Sequence, residues 1–365
     1  MKISFLYGAR FSTLWRLLRQ QRFRVSLQSI PSLLLHTLMS GISSIVSWKE
    51  KGQSYPNDPL RPVFIVGHWR SGTTHLHNLM TIDGAYRAPT TFQAAFPHAF
   101  LRSEEWLAPL LDKVGPGTRL MDNMAMYMNS PQEEEIALAA MGAPSSYLAI
   151  HFPKDHATYQ TFVSFKKADP KDLEEWKKTY RQYLRKLVAK YGMDVPLVLK
   201  SPANTARIAL LLEMYPDSRF IHIHRHPYET IRSTMHLYDS WFKMASFQSL
   251  KDLKAGRDGF ILDAYEEIHQ LWMEESKAIP KENLLVLGFE EVKKNPLACL
   301  EKIYTFLGDA RLDKEKLQAY LQGIRTYKQN SYQPLSVEMK KTINERMAFV
   351  FKTFGYEMES LTEMK

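Results

Sequence analysis

One stretch of the sequence, Arg61–Met80, has residue types and spacing that suit the binding of an anion. Its apolar run Pro62–Val66 has the β-branched and aromatic bias of a buried strand, and a loop with a glycine at each end, Gly67–Gly72, follows. A helix is predicted to open at Thr73. Because the first N–H groups of a helix are unpaired and carry the positive end of its dipole, this unit predicts a cradle for an anion.

The loop follows the spacing of the nucleotide-binding pattern G-x-x-x-x-G-K-[ST] but lacks its lysine. Thr73 stands at the lysine position and Thr74 at the hydroxyl position, while the cation of the loop is Arg70. Nucleotide kinases and ATPases use that lysine on the β- and γ-phosphates. The sequence therefore disfavours a nucleotide kinase, which stays an alternative together with a nucleotide-binding module without turnover.

Two further cations stand at the ends of predicted strands. Lys200 follows the run Leu197–Leu199. Arg225 follows the run Phe220–His224, and Ser233 lies eight residues after it in the next predicted helix. A guanidinium fork and a short hydroxyl suit the oxygens of a phosphate. Parallel sheets bind ligands at the carboxyl ends of their strands. These cations and the loop therefore predict two anion-binding sites that hold one ligand.

The loop and the Arg225–Ser233 spacing resemble motifs of the sulfotransferases that use 3′-phosphoadenosine 5′-phosphosulfate (PAPS), in the arginine-containing form x-R-S-G-T-T. The resemblance implies transfer of a sulfuryl group from PAPS to an acceptor hydroxyl, without a metal, to give PAP and a sulfate ester. It implies that Arg225 and Ser233 hold the 3′-phosphate. The residues implied to hold the 5′-phosphosulfate are Arg70, Ser71, Gly72, Thr73 and Thr74.

The resemblance extends from about residue 11 to residue 356 and includes the stretches P-T-T-x-Q-x-x-x-P-H, P-x-E-x-E, L-K-S-P and a late F-E segment ending in proline. This chain departs from the family pattern at three places. Pro202 stands where animal enzymes carry a catalytic histidine, and Asn204 stands where bacterial relatives usually carry one. The glycine- and lysine-rich loop of animal enzymes is missing near the C-terminus, where Lys328 of Tyr327–Tyr332 is the best substitute contact for the 3′-phosphate.

Sulfuryl transfer to a hydroxyl needs a base, because the acceptor loses a proton as the sulfuryl group arrives. Two candidates stay open from the sequence. His98 lies in an aromatic loop after the phosphosulfate unit, and Glu133 begins the acidic triplet Glu133–Glu135. Lys200 is expected to act with Arg70 in stabilising the charge that develops on the leaving group.

The elements that must position these residues alternate between strands and helices. A fourth strand is predicted at Leu284–Phe289, and the predicted helices after the last three strands are Asn204–Met214, Tyr228–Leu237 and Pro296–Leu307. This order predicts an α/β fold of the P-loop-like, three-layer type, with a central parallel sheet flanked by helices. The long interval between Met80 and Leu197 predicts helical insertions that form the acceptor pocket, with helices over Pro131–Met141 and Asp172–Tyr191.

We expect a single sulfotransferase domain over residues 1–365. Its predicted segments are an N-terminal helical extension (1–60), the phosphosulfate loop unit (61–80), an acceptor-side insertion (81–195), the 3′-phosphate half of the sheet (196–310) and a C-terminal closing segment (311–365).

The composition is that of a globular chain, with 45% hydrophobic and 24% charged residues, and it excludes a disordered or collagenous protein. The net charge of +9 suits an anionic ligand, but no nucleic-acid-binding motif accompanies it, so nucleic acid is not an expected partner. Cys299 is the single cysteine, which excludes an intrachain disulfide and a cysteine-built zinc site and fits a reducing cytoplasm. The sequence does not indicate an oligomeric state.

The segment Val25–Val46 contains no Asp, Glu, Lys or Arg and follows a stretch rich in arginine. Such a segment could span a membrane, but Gln28, Pro31 and His36 dilute its hydrophobicity. We therefore predict a packed helix whose basic flank permits peripheral membrane contact.

The predicted insertion and the segment after Ser233 are rich in aromatic residues and methionine, which suits a large apolar acceptor such as a sterol, bile acid or lipid alcohol. A carbohydrate or phenolic acceptor is the alternative. The aromatic residues concerned include Phe92, Phe96, Phe100, Trp106, Trp241 and Phe242.

Overall fold

A parallel four-stranded sheet with the strand order β2-β1-β3-β4 forms the centre of the molecule. The structure is a computed structural model that describes residues 4–48, 53–114, 126–249, 254–324 and 332–360. The strands are β1 (Val63–Val66), β2 (Val198–Lys200), β3 (Arg219–His224) and β4 (Leu284–Gly288).

Helices surround the sheet, joined by short 3-10 turns. The α-helices formed by the described residues are α1 (Phe11–Gln20), α2 (Ile30–Trp48), α3 (Thr73–Thr81), α4 (Thr91–Ala95), α5 (Phe100–Val114), α6 (Glu134–Met141), α7 (His156–Gln160), α8 (Pro170–Tyr191), α9 (Ile208–Met214), α10 (Pro227–Ala245), α11 (Lys254–Glu275), α12 (Phe289–Lys294), α13 (Pro296–Leu307), α14 (Lys314–Gly323) and α15 (Val337–Phe354).

The two faces of the sheet pack into separate apolar cores. In β1, Phe64 and Val66 face one core, while Val63 and Ile65 face the other. Successive residues of a strand point to opposite faces, and a strand that is apolar at every position is typical of a parallel sheet covered on both sides. The predicted three-layer fold with a parallel sheet is thereby confirmed.

The strand order creates a crevice beside β1. The chain runs from β1 to β2 on one side and then returns past β1 to form β3 on the other side. β1 and β3 pair in register, with Val66 opposite His222, so their carboxyl ends lie next to each other. Open α/β sheets bind ligands at such a switch point.

Two predicted helices begin later than expected. The helix predicted from Pro131 begins at Glu134, because Pro131 forms an antiparallel bridge with Thr90 and Glu133 takes the N-cap position. The helix predicted from Asn204 begins at Ile208, after a 3-10 turn over Pro202–Ala206. The described parts of the insertion, residues 81–114 and 126–195, contain α4 to α8 and no strand.

Candidate active site

The loop between β1 and α3 requires glycine at both ends. Gly67 and Gly72 have positive φ angles of 149° and 105°. A Cβ atom on Gly67 would lie 2.3 Å from the carbonyl oxygen of Ile223, and one on Gly72 would lie 2.3 Å from the ring of Phe289. Gly72 is also the N-cap of α3 and has no side chain to occupy the first N–H groups. The helix end therefore leaves its first N–H groups uncapped by a side chain, as the predicted cradle for an anion requires.

The two arginines that follow β1 and β3 meet in the crevice. Arg225 Nη1 donates a hydrogen bond to the carbonyl oxygen of Arg70 at 3.3 Å. Arg70 Nε donates to Ser233 Oγ at 2.9 Å, and Ser233 Oγ donates to Tyr332 Oη at 3.1 Å. The Arg225 guanidinium lies 4.6 Å from the ring centroid of Phe289, a cation–π contact. The structure thus joins the predicted 5′ and 3′ anion sites into one cluster.

Arg225 is half-buried, and part of its guanidinium is available to a ligand. Its Nε has no hydrogen-bond partner among the described residues, and its contact with Glu229 Oε2 is long, at 3.5 Å. Burial lowers the pKa of Arg225 from its ordinary value. Because buried donors are rarely left unpaired, this arginine has the character of an anion-binding residue.

Glu133 lies at the centre of a hydrogen-bond network beside the loop. Lys200 Nζ donates to Glu133 Oε1 and also lies 3.3 Å from Thr74 Oγ1. Tyr147 Oη donates to the other carboxylate oxygen of Glu133, and Trp69 Nε1 donates to Tyr147 Oη at 2.9 Å. Trp69 and Thr74 both belong to the loop unit, so the loop itself fixes the position of this carboxylate.

The network leaves the Glu133 carboxylate able to accept another proton donor. A carboxylate has about four lone-pair sites, and the network uses one on each oxygen. Burial, and then the nearby Glu133 charge, raise the pKa of Tyr147 well above its usual value, so Tyr147 keeps its proton and acts as a donor.

The other two acids of the triplet support the fold. Glu134 accepts hydrogen bonds from the backbone N–H of Lys200 at 3.0 Å and from Asn204 Nδ2 at 2.7 Å, and burial raises its pKa to about 7. Glu135 forms a fully buried ion pair with Arg207 at 2.8 Å. Asn204 therefore positions Glu134 at the end of β2, and only Glu133 of the triplet lines the cavity.

A cavity of about 1060 Å³ opens in front of the loop. Apolar residues from several elements line it together with polar ones, and Leu237 and Trp241 of α10 form part of its wall. The sequence-predicted site residues that line it are Arg70, Gly72, Thr73, Thr74, Glu133 and Arg225. Within the described ranges, no group of three or more His, Cys, Asp or Glu side chains is placed to hold a metal ion.

Three predicted residues lie behind the cavity wall. Lys200 and Ser233 reach it through Glu133 and Arg70, as described above. Ser71 is buried, and its Oγ has no hydrogen-bond partner among the residues that the structure describes. Lys328 lies outside the described residues.

His98 does not line the cavity. It is buried, with Arg10 and Lys186 as its nearest charges, and burial lowers its pKa to about 3. Lys186 Nζ donates a hydrogen bond to the carbonyl oxygen of Pro97 at 2.5 Å, which holds this turn against α8. The structure therefore brings Glu133, and not His98, to the phosphosulfate loop.

Sequence reasoning assigned no individual role to four residues of the site: Trp69, Tyr147, Phe289 and Tyr332. Trp69 lies inside the loop motif and Phe289 inside the late F-E segment, so both could have been found there. Tyr147 follows Glu133 by 14 residues in a separate turn, and no sequence pattern links the two.

The chain is similar in sequence to known proteins. Residues 62–312 match the profile of the Sulfotransferase family. The chain is 32% identical over 359 residues to omega-hydroxy-beta-dihydromenaquinone-9 sulfotransferase Stf3 of Mycobacterium tuberculosis (strain CDC 1551 / Oshkosh), which covers 96% of this chain and 90% of Stf3. The Stf3 of Mycobacterium bovis matches equally well.

Two crystal structures share the fold. Sulfotransferase STF9 from Mycobacterium avium has a TM-score of 0.68 at 18% identity and covers 89% of this chain and 84% of its own. Sulfotransferase STF1 from Mycobacterium tuberculosis H37Rv has a TM-score of 0.64 at 20% identity and covers 92% and 90%. By its family profile and its 32% identity to Stf3, this chain belongs to the sulfotransferase family.

Proposed function

We propose that this sulfotransferase moves a sulfuryl group from PAPS to a hydroxyl of an apolar small molecule, giving PAP and a sulfate ester. One observation carries the donor assignment. The open helix end at Gly72 and the half-buried guanidinium of Arg225 lie at the ends of adjacent strands and border one cavity. A ligand with a phosphosulfate at one end and a separate phosphate needs two such sites.

In this proposal the loop residues Arg70, Ser71, Gly72, Thr73 and Thr74 hold the 5′-phosphosulfate. Arg225 and Ser233 hold the 3′-phosphate, with Tyr332 bonded to Ser233 at 3.1 Å and Lys328 as a further contact. PAPS supplies the sulfuryl group, and its bond from sulfur to the bridging oxygen breaks as the acceptor oxygen bonds to sulfur.

Glu133 is the proposed base, because its carboxylate lines the cavity and can accept one more hydrogen bond. It takes the proton of the acceptor hydroxyl as the new S–O bond forms. Lys200 contacts both Glu133 and Thr74, so its charge lies between the base and the loop that holds the leaving group. Fixed cations near developing negative charge lower the barrier without reorganisation.

The apolar acceptor is supported by the cavity and by a relative. A volume of about 1060 Å³ with Leu237 and Trp241 on its wall suits a large hydrophobic alcohol. Stf3 is named for a hydroxylated dihydromenaquinone, which is a lipid alcohol. A carbohydrate or phenolic acceptor remains the alternative. A cytoplasmic location is part of the proposal.

The donor assignment is tested by nucleotide binding followed as thermal stabilisation. PAP should stabilise the protein more than ADP or ATP does. A ligand at a concentration of about 100 times its Kd adds about 2.7 kcal/mol to the free energy of unfolding. Arg225→Ala should remove the preference for PAP over AMP, because it removes a charge-assisted contact with the 3′-phosphate. The affinity for PAP should fall by about tenfold or more.

Arg346→Ala is the matched control, because Arg346 is also paired with carboxylates but lies on α15. An equal or larger response to ATP would contradict PAPS as the donor. An unchanged PAP preference in Arg225→Ala would remove Arg225 from the 3′-phosphate site.

A further inference from the structure

Helix α2 has reversed polarity relative to an ordinary surface helix. Its fully buried positions are His36, Ser40, Ser43 and Ser47. Its exposed side includes Leu34, Leu38 and Ile45, whose side chains are 66%, 62% and 70% exposed. We call the exposed side the α2 outer face; it comprises Leu27, Ile30, Leu34, Leu38, Ile42, Ile45 and Trp48.

Hydrogen bonds fix this orientation. Ser43 Oγ donates to the carbonyl oxygen of Gly8 at 2.7 Å, and Arg10 Nε donates to Ser47 Oγ at 3.1 Å. The His36 ring stacks on Tyr7 with centroids 4.1 Å apart. Rotating the helix to bury its apolar side would break these contacts, so the outer face is a fixed feature of the fold.

The aromatic residues of α1 and its following turn extend the outer face. Phe11 lies beside α2, because its backbone N–H donates to Ser44 Oγ at 2.8 Å. The exposed rings of Phe11, Trp15 and Phe23 contact one another in sequence, with centroid distances of 6.3 and 5.2 Å. Arg22 and Phe23 both adopt positive φ, a conformation that is strained for residues other than glycine. The strained turn presents an aromatic ring and an arginine to solvent.

The charges that residues 1–49 contribute around this surface have one sign. Arg19, Arg22 and Arg24 are exposed beside it, and residues 1–49 contain no Asp or Glu. A surface that is apolar and cationic complements the interface of a membrane with anionic lipids. A second copy of this chain would instead bring like charges together.

We propose that the α2 outer face and the exposed rings of α1 bind the surface of a bilayer that contains anionic lipids. The helix lies in the interface, where its apolar side enters the lipid and the arginines contact headgroups. The stretch Leu27–Trp48 has the length and hydropathy to cross a membrane. A spanning arrangement would pull Ser43 and Ser47 away from Gly8 and Arg10 and place these polar groups in hydrocarbon.

The segment that precedes α2 contacts the chain just after α10, the helix that lines part of the cavity. The backbone N–H of Ser26 donates to the carbonyl oxygen of Phe247 at 2.8 Å, just after the end of α10. The same helix carries Leu237 and Trp241 on the cavity wall. Delivery of an acceptor from the bilayer would use this proximity. That step rests on the proposed function, whereas docking to the membrane does not.

The test is flotation of the full chain with vesicles of phosphatidylcholine alone or mixed with phosphatidylglycerol, without donor or acceptor. The chain should bind the mixed vesicles, and added salt should weaken binding. The combined change Leu34→Ser, Leu38→Ser and Ile45→Ser should reduce the affinity for the mixed vesicles at least tenfold, because three apolar side chains no longer enter the lipid. Leu60→Ser with Leu110→Ser is the matched control, since both residues are exposed elsewhere.

Replacing Arg19, Arg22 and Arg24 by Gln should weaken binding to the mixed vesicles by roughly fivefold for each arginine and remove most of the salt dependence. An unchanged midpoint of thermal unfolding shows that each variant is folded. Binding by the triple serine variant equal to that of the unchanged protein would overturn the proposal.

Two other outcomes would also overturn it. A dimer in light scattering that becomes a monomer in the serine variant would assign the surface to self-association. Protein that resists alkaline carbonate extraction from the vesicles would indicate a spanning helix. If the unchanged protein bound vesicles as expected but transferred no sulfuryl group, that result would count against the proposed function alone.

Discussion

Two regions of the site, the proposed donor end and the proposed catalytic wall, are built in different ways. The donor end consists of one continuous strand, loop and helix unit, joined by Arg225 and Ser233 from the adjacent strand and its helix. The proposed catalytic wall joins Glu133, which lines the cavity, to Tyr147 and Lys200 behind it, and the three residues come from separate elements. The first arrangement follows from local spacing, whereas the second exists only after the insertion has packed against the sheet.

The largest difference between the two regions is expected for Glu133→Gln. The change removes the proposed base, so the single-turnover rate of sulfuryl transfer should fall by about a hundredfold to ten-thousandfold. PAP affinity should stay within about twofold, because Glu133 belongs to the catalytic wall and not to the donor end. Rapid-quench kinetics and PAP titration measure the two quantities separately.

Glu291→Gln is the control for this prediction, because Glu291 is a surface carboxylate paired with Lys302 at 3.5 Å. A near-normal rate in Glu133→Gln would disprove the assignment of the base. If His98→Ala lost its activity instead, the base would belong to the turn before α5.

A smaller effect is expected for Tyr147→Phe. The variant keeps the ring but removes the hydroxyl that donates to Glu133. Loss of one hydrogen bond to a charged group predicts a fall in kcat of about tenfold, with an unchanged KM for PAPS.

An unchanged kcat in Tyr147→Phe would show that Tyr147 only fills space. An increased KM for PAPS would link the catalytic wall to donor binding and weaken the distinction between the two regions.

The smallest effect on activity is expected for His98→Asn, because His98 belongs to neither region. Burial holds its folded-state pKa at about 3, below the unfolded value of 6.5. Between these values the unfolded chain binds more protons, so His98 contributes a loss of stability as the pH falls below about 6.5.

Urea unfolding at about pH 7.5 and pH 5 measures this loss. The loss of unfolding free energy between these two pH values should be about 2 kcal/mol smaller in His98→Asn than in the unchanged protein. Below about pH 6.5, the contribution of His98 changes by about 1.4 kcal/mol per pH unit. His68 and His77 also have lowered pKa values, but their contributions are common to both proteins and cancel. An equal loss in both proteins would show that His98 is already able to take up a proton.

The donor end could be predicted from the sequence because its signals are local. The glycines of Gly67–Gly72 are needed for positive φ and close backbone contacts, and Arg225 directly follows a strand. Such requirements restrict residue type at fixed positions. The α/β fold and its four strands could also be predicted, because the patterns of alternating strands and helices are local signals as well.

The catalytic wall could be predicted only in part. Glu133 and His98 both lie in irregular segments, where no periodicity shows which side chain faces the cavity, so the sequence left the base undecided. The packed helix expected near the N-terminus is present, but α2 packs through serines and a histidine. A hydropathy pattern reports which side of a helix is apolar and does not report which side is buried.

Transfer of labelled sulfate from PAPS to a matched panel of sterols, prenylated alcohols, phenols and sugars distinguishes the proposed reaction from its alternatives. The proposed donor end and the apolar part of the cavity wall predict product only with PAPS. The yield should be highest with the apolar alcohols, and Glu133→Gln should abolish it. Preferred transfer to sugars or phenols would contradict the assigned acceptor. No transfer to any hydroxyl, with PAP still bound, would contradict the proposed chemistry.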